Sequence, residues 1–271
     1  MRDRFFIISL LIITICALAC KGRSANTYTN YDLVYGDEFA GFDIYDEDGN
    51  LAELPDKNYA GFYVSKGCGS CASAIRNIDR FSKIFKSDDL DYIVLWEDEI
   101  PKNLIKKYNI EENKNYSLDG KSKLFGITPS YFILKDGKVD FQTEDMDMFL
   151  RKISSGDYES KDKLMKRVNK LIADEYGAND KTKLLYFAME GCNDCKKANE
   201  VLDDKDILDK YDIIKMYRPS DPDDGRLLDK GGFLAGIYDV DWYPTFVKIY
   251  EDDFEIIREV PIDQLKNMLL K

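Results

Sequence analysis

The sequence contains no histidine. That removes Ser-His-Asp and Cys-His nucleophile pairs, histidine general bases and zinc sites with imidazole ligands. Tryptophan is scarce, at 2 in 271 residues, and proline numbers 7. No Gly-x-Gly-x-x-Gly follows an apolar run, so no nicotinamide or flavin site is announced and no cofactor is expected. Positive charge is in deficit. The 39 Lys and Arg stand against 51 Asp and Glu, a net charge of −12, which repels a polyanion such as nucleic acid. Only Phe5 to Ala19 forms a long uncharged apolar run, and it is shorter than the ~20 residues a membrane-spanning helix needs.

What remains is an ordinary globular balance, 44% hydrophobic and 33% charged. At ~150 residues per domain the length predicts about two domains, each able to bury a core without a disulfide scaffold. The 6 cysteines carry the most information.

Residues 1–19 read as an export signal: Arg2 and Arg4, then the apolar run, then Ala17-Leu18-Ala19-Cys20 and a polar turn of sequence. The end of this segment resembles a bacterial lipobox, with Ala17 where that motif usually has Leu. The resemblance implies cleavage before Cys20 and lipidation of its thiol, against a plain signal peptide or an uncleaved anchor. Residues 20–35 show no period and read as a tether, which would hold the rest on the outer side of the cytoplasmic membrane.

Four cysteines lie beyond it, as Cys68-Gly-Ser-Cys71 and Cys192-Asn-Asp-Cys195. Each pair has the same surroundings. Tyr59–Val64 and Leu184–Met189 are apolar runs that predict buried strands. Ala74, Ile75, Ile78, Phe81 and Phe85 recur at helical spacing after the first pair, and Ala198, Val201 and Leu202 after the second. Tyr92–Trp96 and Ile213–Tyr217 predict further buried strands, and helices are predicted near Leu104–Tyr108 and Leu227–Ile237. Thr128-Pro129 and Tyr243-Pro244 then precede apolar pairs of runs, the first joined by Asp136-Gly137, a strong hairpin signal. Helices near Asp147–Ile153 and from Ile262 close the units, and a helix with Leu164, Val168 and Leu171 opens the second. The first cysteines are 124 residues apart and the two prolines 115 apart, so the copies agree to within a loop. Residues 36–155 and 156–271 are the predicted domains.

A strand, a CxxC at a helix start and a proline opening a hairpin, occurring twice, resembles the thioredoxin fold in tandem. The implied class is α/β, a central mixed sheet flanked by helices. The first unit is similar to TlpA-like membrane-anchored thiol–disulfide oxidoreductases, through Glu38–Gly49 as the N-terminal hairpin and Gly126–Gly137. The second resembles plain thioredoxin or bacteriocin-transport accessory proteins through Tyr186–Lys196. The resemblance implies exchange chemistry on exported protein thiols and disulfides, with a membrane partner that gives or takes electrons. It also implies that both X-Pro peptides are cis and that Thr128, Pro129, Tyr243 and Pro244 face the substrate. Where the family often has Trp before the first cysteine, Gly67 and Gly191 stand. Its buried Asp falls at Phe62 and Tyr186, and a Glu frequent in the TlpA-like branch falls at Ala74.

The chemistry suits the pattern. Exchange needs an attacking thiolate and a second thiol that resolves the mixed disulfide. A helix N-terminus stabilises the thiolate of the first cysteine, and the second lies one turn on. By position, Cys68 and Cys192 are nucleophiles and Cys71 and Cys195 resolvers. Lys66 beside the first pair, and Glu190 and Asp194 beside the second, suggest that the second pair is the more reducing.

Other readings are open at this point. The pairs could be structural staples, although so short a loop stabilises by only ~2 kcal/mol. A shared Cys₄ zinc site is disfavoured by the separation of the pairs, though the thiolates could trap copper or zinc weakly. Asp221, Asp223 and Asp224 resemble a calcium loop loosely but have Gly232 at the twelfth place where Glu belongs. The expected activity is reduction of disulfides. The alternatives are an oxidase or isomerase, or a chaperone that only holds a client.

Overall fold

The computed structural model describes residues 29–85, 89–111, 114–177, 180–218, 230–250 and 253–271. The signal segment, Cys20 and the Asp221–Asp224 loop lie outside the described residues.

The first strands are short: β1 (Thr29–Asn30), β2 (Ile44–Tyr45) and β3 (Leu51–Ala52). β4 (Tyr59–Val64) is buried at every position and runs into α1 (Cys71–Ile84). Then come β5 (Asp91–Trp96), α2 (Lys102–Lys107), β6 (Asn115–Leu118) and β7 (Ser122–Lys123). The hairpin of β8 (Ser130–Lys135) and β9 (Lys138–Thr143) leads to α3 (Met146–Ser154). Asp145 caps that helix, accepting from the amides of Asp147 and Met148.

The second half opens with α4 (Lys161–Tyr176), followed by β10 (Thr182–Met189), α5 (Asn193–Leu202) and α6 (Lys205–Lys210). β11 (Tyr211–Arg218), α7 (Lys230–Ile237), β12 (Thr245–Ile249), β13 (Phe254–Arg258) and α8 (Ile262–Leu270) complete it.

The larger sheet has the order β3-β2-β6-β5-β4-β8-β9, and the smaller one β11-β10-β12-β13. In each, the strand before the cysteines pairs parallel with the next long strand and antiparallel with the strand after the X-Pro. This mixed α/β topology is the one the thioredoxin resemblance implies, and its element order occurs in both halves.

Three departures from the sequence reading concern the edges. The tether was expected to reach residue 35, yet Thr29 and Asn30 pair with Ser122 and Lys123, and Leu33 is buried. The N-terminal hairpin is formed by β2 and β3 around Gly49 rather than over Glu38–Gly49. β6 extends the larger sheet beside β5 and, among the described residues, has no counterpart beside β11. Its sequence, Asn-Tyr-Ser-Leu, is too short and too polar to show a period.

The two halves share one core. Phe81 of α1, Phe149 and Leu150 of α3, Val168 and Leu171 of α4 and Phe233 of α7 belong to a single buried cluster with residues of both sheets. Helices α1 and α3 therefore pack against α4 and α7, with one sheet beyond each pair. Phe81 and Phe233 meet edge to face at 5.5 Å between centroids. Around this seam Arg80 pairs with Glu175 at 2.8 Å and Arg151 with Asp239 at 3.2 Å, and Arg167 bonds both Glu159 and the Ile84 carbonyl. The outer face of the smaller sheet is covered by α5 and α8, through Ala198, Leu202, Leu265 and Leu269. Thus α1 lies at the seam and α5 lies outside. Among the described residues no helix is long and apolar enough to cross a membrane.

Candidate functional site

Each cysteine pair sits where a buried strand turns into a helix. Cys68 and Cys71 are disulfide-bonded, as are Cys192 and Cys195. In both pairs the first cysteine is partly exposed, while Cys71 is 0% and Cys195 3% exposed. The backbone N–H of Cys71 points at Cys68 Sγ at 3.0 Å, and that of Cys195 at Cys192 Sγ at the same distance. These amides belong to the first turns of their helices, where donors have no partner within the helix. When the disulfide opens they face the sulfur that becomes a thiolate and favour its charge.

The X-Pro loops close both sites from the opposite side. The peptides Thr128–Pro129 and Tyr243–Pro244 are cis. The Thr128 carbonyl oxygen lies 3.4 Å from Cys68 Sγ, and that of Tyr243 lies 3.9 Å from Cys192 Sγ. The structure thus brings Cys68, Cys71, Thr128 and Pro129 together in one half, and Cys192, Cys195, Tyr243 and Pro244 in the other. Sequence reasoning passed over the residue after each proline. Ser130 Oγ donates to the Ile127 carbonyl at 2.6 Å, and Thr245 Oγ1 to the Trp242 carbonyl at 2.7 Å. Both residues are fully buried, and each hydroxyl pins its turn. The signal was a hydroxyl residue following proline in both copies.

The surroundings of the two pairs differ. Ser70 Oγ is 3.2 Å from Cys68 Sγ, within hydrogen-bond reach of sulfur. The matching residue of the second pair is Asp194, a carboxylate paired with Lys197 at 3.4 Å. Lys66, read from sequence as the cation of the first pair, is drawn to Glu99 at 3.7 Å. Beside the Cys71 amide, the Ser70 hydroxyl thus gives Cys68 Sγ a second donor that favours a thiolate, whereas the matching place in the second pair holds a carboxylate, which has no proton to donate.

Beneath the resolving cysteines the contrast runs through the core. Phe62, at the first of the two buried-Asp places, packs edge to face on Phe81 at 4.4 Å. Tyr186, at the other, donates its hydroxyl to the Cys195 carbonyl at 2.6 Å. Asn199 Nδ2 donates to the same carbonyl at 3.0 Å, and Lys215 Nζ donates to Asn199 Oδ1 at 2.9 Å. Burial pushes the Tyr186 hydroxyl well above its ordinary pKa, so it stays a donor.

At the seam, Arg218 at the end of β11 donates to the Tyr243 hydroxyl at 3.4 Å, and its guanidinium carbon lies 6.0 Å from that ring's centroid. Asp147 of α3 lines the same small pocket as Arg218 and Tyr243. Burial, then the neighbouring Asp145, raises the Asp147 pKa, and Arg218 and Arg151 oppose that rise. Among the described residues no group of three or more Cys, Asp or Glu could hold a metal ion.

No family model matches this chain, and no curated protein matches it. Solved structures do. A putative thiol:disulfide interchange protein DsbE from Chlorobium tepidum is 17% identical, with 41% of this chain and 84% of that chain covered and a TM-score of 0.33. The thioredoxin domain of a thiol-disulfide oxidoreductase from Bacteroides vulgatus is 15% identical over 52% of this chain and 99% of that chain, TM-score 0.35. A domain of a possible thiol-disulfide isomerase from Cytophaga hutchinsonii is 15% identical over 46% and 95%, TM-score 0.36. The likeness is one of fold alone, and the chemistry rests on this chain's own geometry.

Proposed function

We propose that this chain is an exported thiol–disulfide oxidoreductase, lipid-anchored through Cys20 on the outer side of the cytoplasmic membrane, that reduces disulfides of exported proteins. The observation that supports it is the repeated arrangement of a partly exposed cysteine at a helix start, a buried cysteine one turn on, and an X-Pro carbonyl within 3.4 or 3.9 Å of the first sulfur. A structural staple has no need of that exposure or of that carbonyl.

In the reducing direction the Cys68 or Cys192 thiolate attacks a client disulfide. One client sulfur leaves as a thiolate and takes up a proton. The resolving thiol, Cys71 or Cys195, loses its proton and attacks the mixed disulfide, which releases the second client thiol. Two electrons pass to the client, and the enzyme pair ends as a disulfide. Thr128 and Tyr243 present their backbone to the extended client segment. A membrane partner restores the dithiols. Ser70 stabilises the reduced form of the first pair and Asp194 disfavours that of the second, so electrons run from the second pair to the first.

A second reading, disulfide oxidase or isomerase, is favoured by the Ser70 hydroxyl, because a stabilised thiolate makes the first pair more oxidising. Alanine replacement separates the exchange readings from a client-holding role. Cys68→Ala and Cys192→Ala should each abolish disulfide exchange at their own site in the full chain, and the double variant should abolish it altogether. Retained client protection in the double variant, with no exchange by the parent chain, would instead identify a holding protein.

A further inference from the structure

The mouths of the two cysteine pairs are built from different residues at equivalent positions. Strand register fixes the equivalence. Val64, four residues before Cys68, pairs with Trp96, and Ala188, four before Cys192, pairs with Tyr217. The next residues are Glu97 and Arg218, and the residues before the prolines are Thr128 and Tyr243.

At the first mouth β6 covers the flank of β5, so Trp96 is buried, and Glu97 is held by Lys123 at 3.0 Å. At the second mouth β11 is the edge strand among the described residues, and Tyr217 is 55% exposed. Trp242, beside the cis peptide, is 54% exposed, and Met189 at the end of β10 is exposed too. Among the described residues, three of the exposed large apolar side chains thus lie on the segments that frame Cys192, and Ile127 lies on those that frame Cys68. Exposed apolar groups gathered at one reactive sulfur mark a contact surface. Arg218 adds a cation there, seated over the Tyr243 ring, where the first mouth has a carboxylate.

Resting on the exchange activity proposed above, we propose that the two sites take different substrates. The second is selective for a disulfide whose cysteine is flanked by an aromatic or large apolar residue and by a carboxylate. Trp242 and Tyr217 contact the apolar side chain and Arg218 pairs with the carboxylate. The first site has the smaller Ile127 in place of Trp242, a buried Trp96 in place of Tyr217 and a carboxylate in place of Arg218, and does not share this preference. The chemical step is the same at both: the dithiol is oxidised to a disulfide, the peptide disulfide is reduced to two thiols, and two electrons and two protons are exchanged.

The test uses the full chain with Cys16 and Cys20 replaced by Ser. One version has its second pair silenced (Cys192→Ser with Cys195→Ser), the other its first (Cys68→Ser with Cys71→Ser). Each is pre-reduced with dithiothreitol, freed of reductant and mixed with four symmetrical peptide disulfides. These carry Phe or Ser on one side of the cysteine and Glu or Lys on the other. The second site should reduce the Phe–Glu peptide about three- to tenfold faster than the Ser–Lys peptide, as expected for partly exposed contacts. Arg218→Gln should erase the Glu-over-Lys part of that ratio, Arg218→Lys should keep most of it, and Trp242→Ser should erase the Phe-over-Ser part. The Glu preference should also weaken in salt. Equal rates for the four peptides at the second site, or the same preference at the first, would overturn the proposal while leaving the oxidoreductase reading in place. Ratios unchanged in Arg218→Gln and Trp242→Ser would overturn it too. No exchange with any peptide at either site would overturn both.

Discussion

A single hydroxyl separates the two reactive sulfurs. Ser70 Oγ stands 3.2 Å from Cys68 Sγ, and the same place in the second pair holds the Asp194 carboxylate. A hydrogen bond to a charged acceptor favours the charged form by about 1.5–3 kcal/mol, or roughly one to two pKa units. Ser70→Ala should therefore raise the Cys68 thiol pKa by about one unit and leave Cys192 where it is. The pH dependence of iodoacetamide alkylation of the reduced chain, mapped by mass, reads both sulfurs at once. A Cys68 profile that does not move would remove the hydroxyl from the account. The cysteines and the prolines were legible in the sequence because their spacing repeats. The roles of Ser70, Ser130 and Thr245 were not, because a hydroxyl declares its acceptor only when the chain has folded. The Lys66–Glu99 ion pair was hidden for the same reason, since Glu99 lies on a different loop.

The elements were legible wherever burial imposes a period. β4, α1, β5, β8, β10, α5 and β12 all fall where apolar runs or helical spacing predict them. The short strands β1, β2, β3, β6 and β7 carry no such period; β6, extended by β2 and β3, makes β5 an inner strand, β1 and β7 pair with each other, and among the described residues β11 remains an edge. Contacts between α3 and α7 were also hidden in the sequence. A Cβ added at Gly236 of α7 would stand 2.8 Å from Leu150 Cδ1 and 2.9 Å from its Cβ, closer than side chains approach. Gly236→Ala should thus cost about 1–3 kcal/mol in urea unfolding, although alanine is the better helix former. An unchanged or raised urea midpoint would mean that these helices do not meet as described.

Asp147, on the same helix, supplies a pH test. Its pKa is raised, chiefly by burial, so the folded chain holds this proton more tightly than the unfolded chain. Its contribution to stability is full below the ordinary Asp pKa of about 3.9 and is lost as pH rises through the elevated folded value. Asp147→Asn should remove that loss, making the variant's stability relative to the parent rise with pH above about 4. Urea midpoints of both proteins from pH 4 to 8 measure it, and parallel curves would contradict the assignment.

At the scale of the whole molecule, the repeat was legible and its packing was not. Two copies of a strand, CxxC helix and X-Pro hairpin can be stacked in several ways, and sequence periodicity says which face is apolar but not what covers it. Here the seam draws Phe81, Phe149 and Leu171 into the same core as Phe187 and Phe233, so the first resolving cysteine sits toward the seam and the second toward the outer shell. The polar support from Tyr186 and Asn199 belongs to that outer position, and the seam places Arg218 beside Tyr243. The two sites are therefore related by sequence order but not by surroundings, which is the physical ground for giving them unequal potentials.

Both pairs are proposed as working redox sites, with the second the more reducing. This proposal is tested most directly by equilibrating the full chain in dithiothreitol and glutathione buffers of graded poise and mapping the alkylated thiols of each pair by mass. Two separate midpoints are expected within the range of about −120 to −270 mV occupied by exchange-active thioredoxin-fold proteins, with the Cys192–Cys195 pair at the more negative value. Pairs that stay oxidised well below about −300 mV would be structural staples and would contradict it.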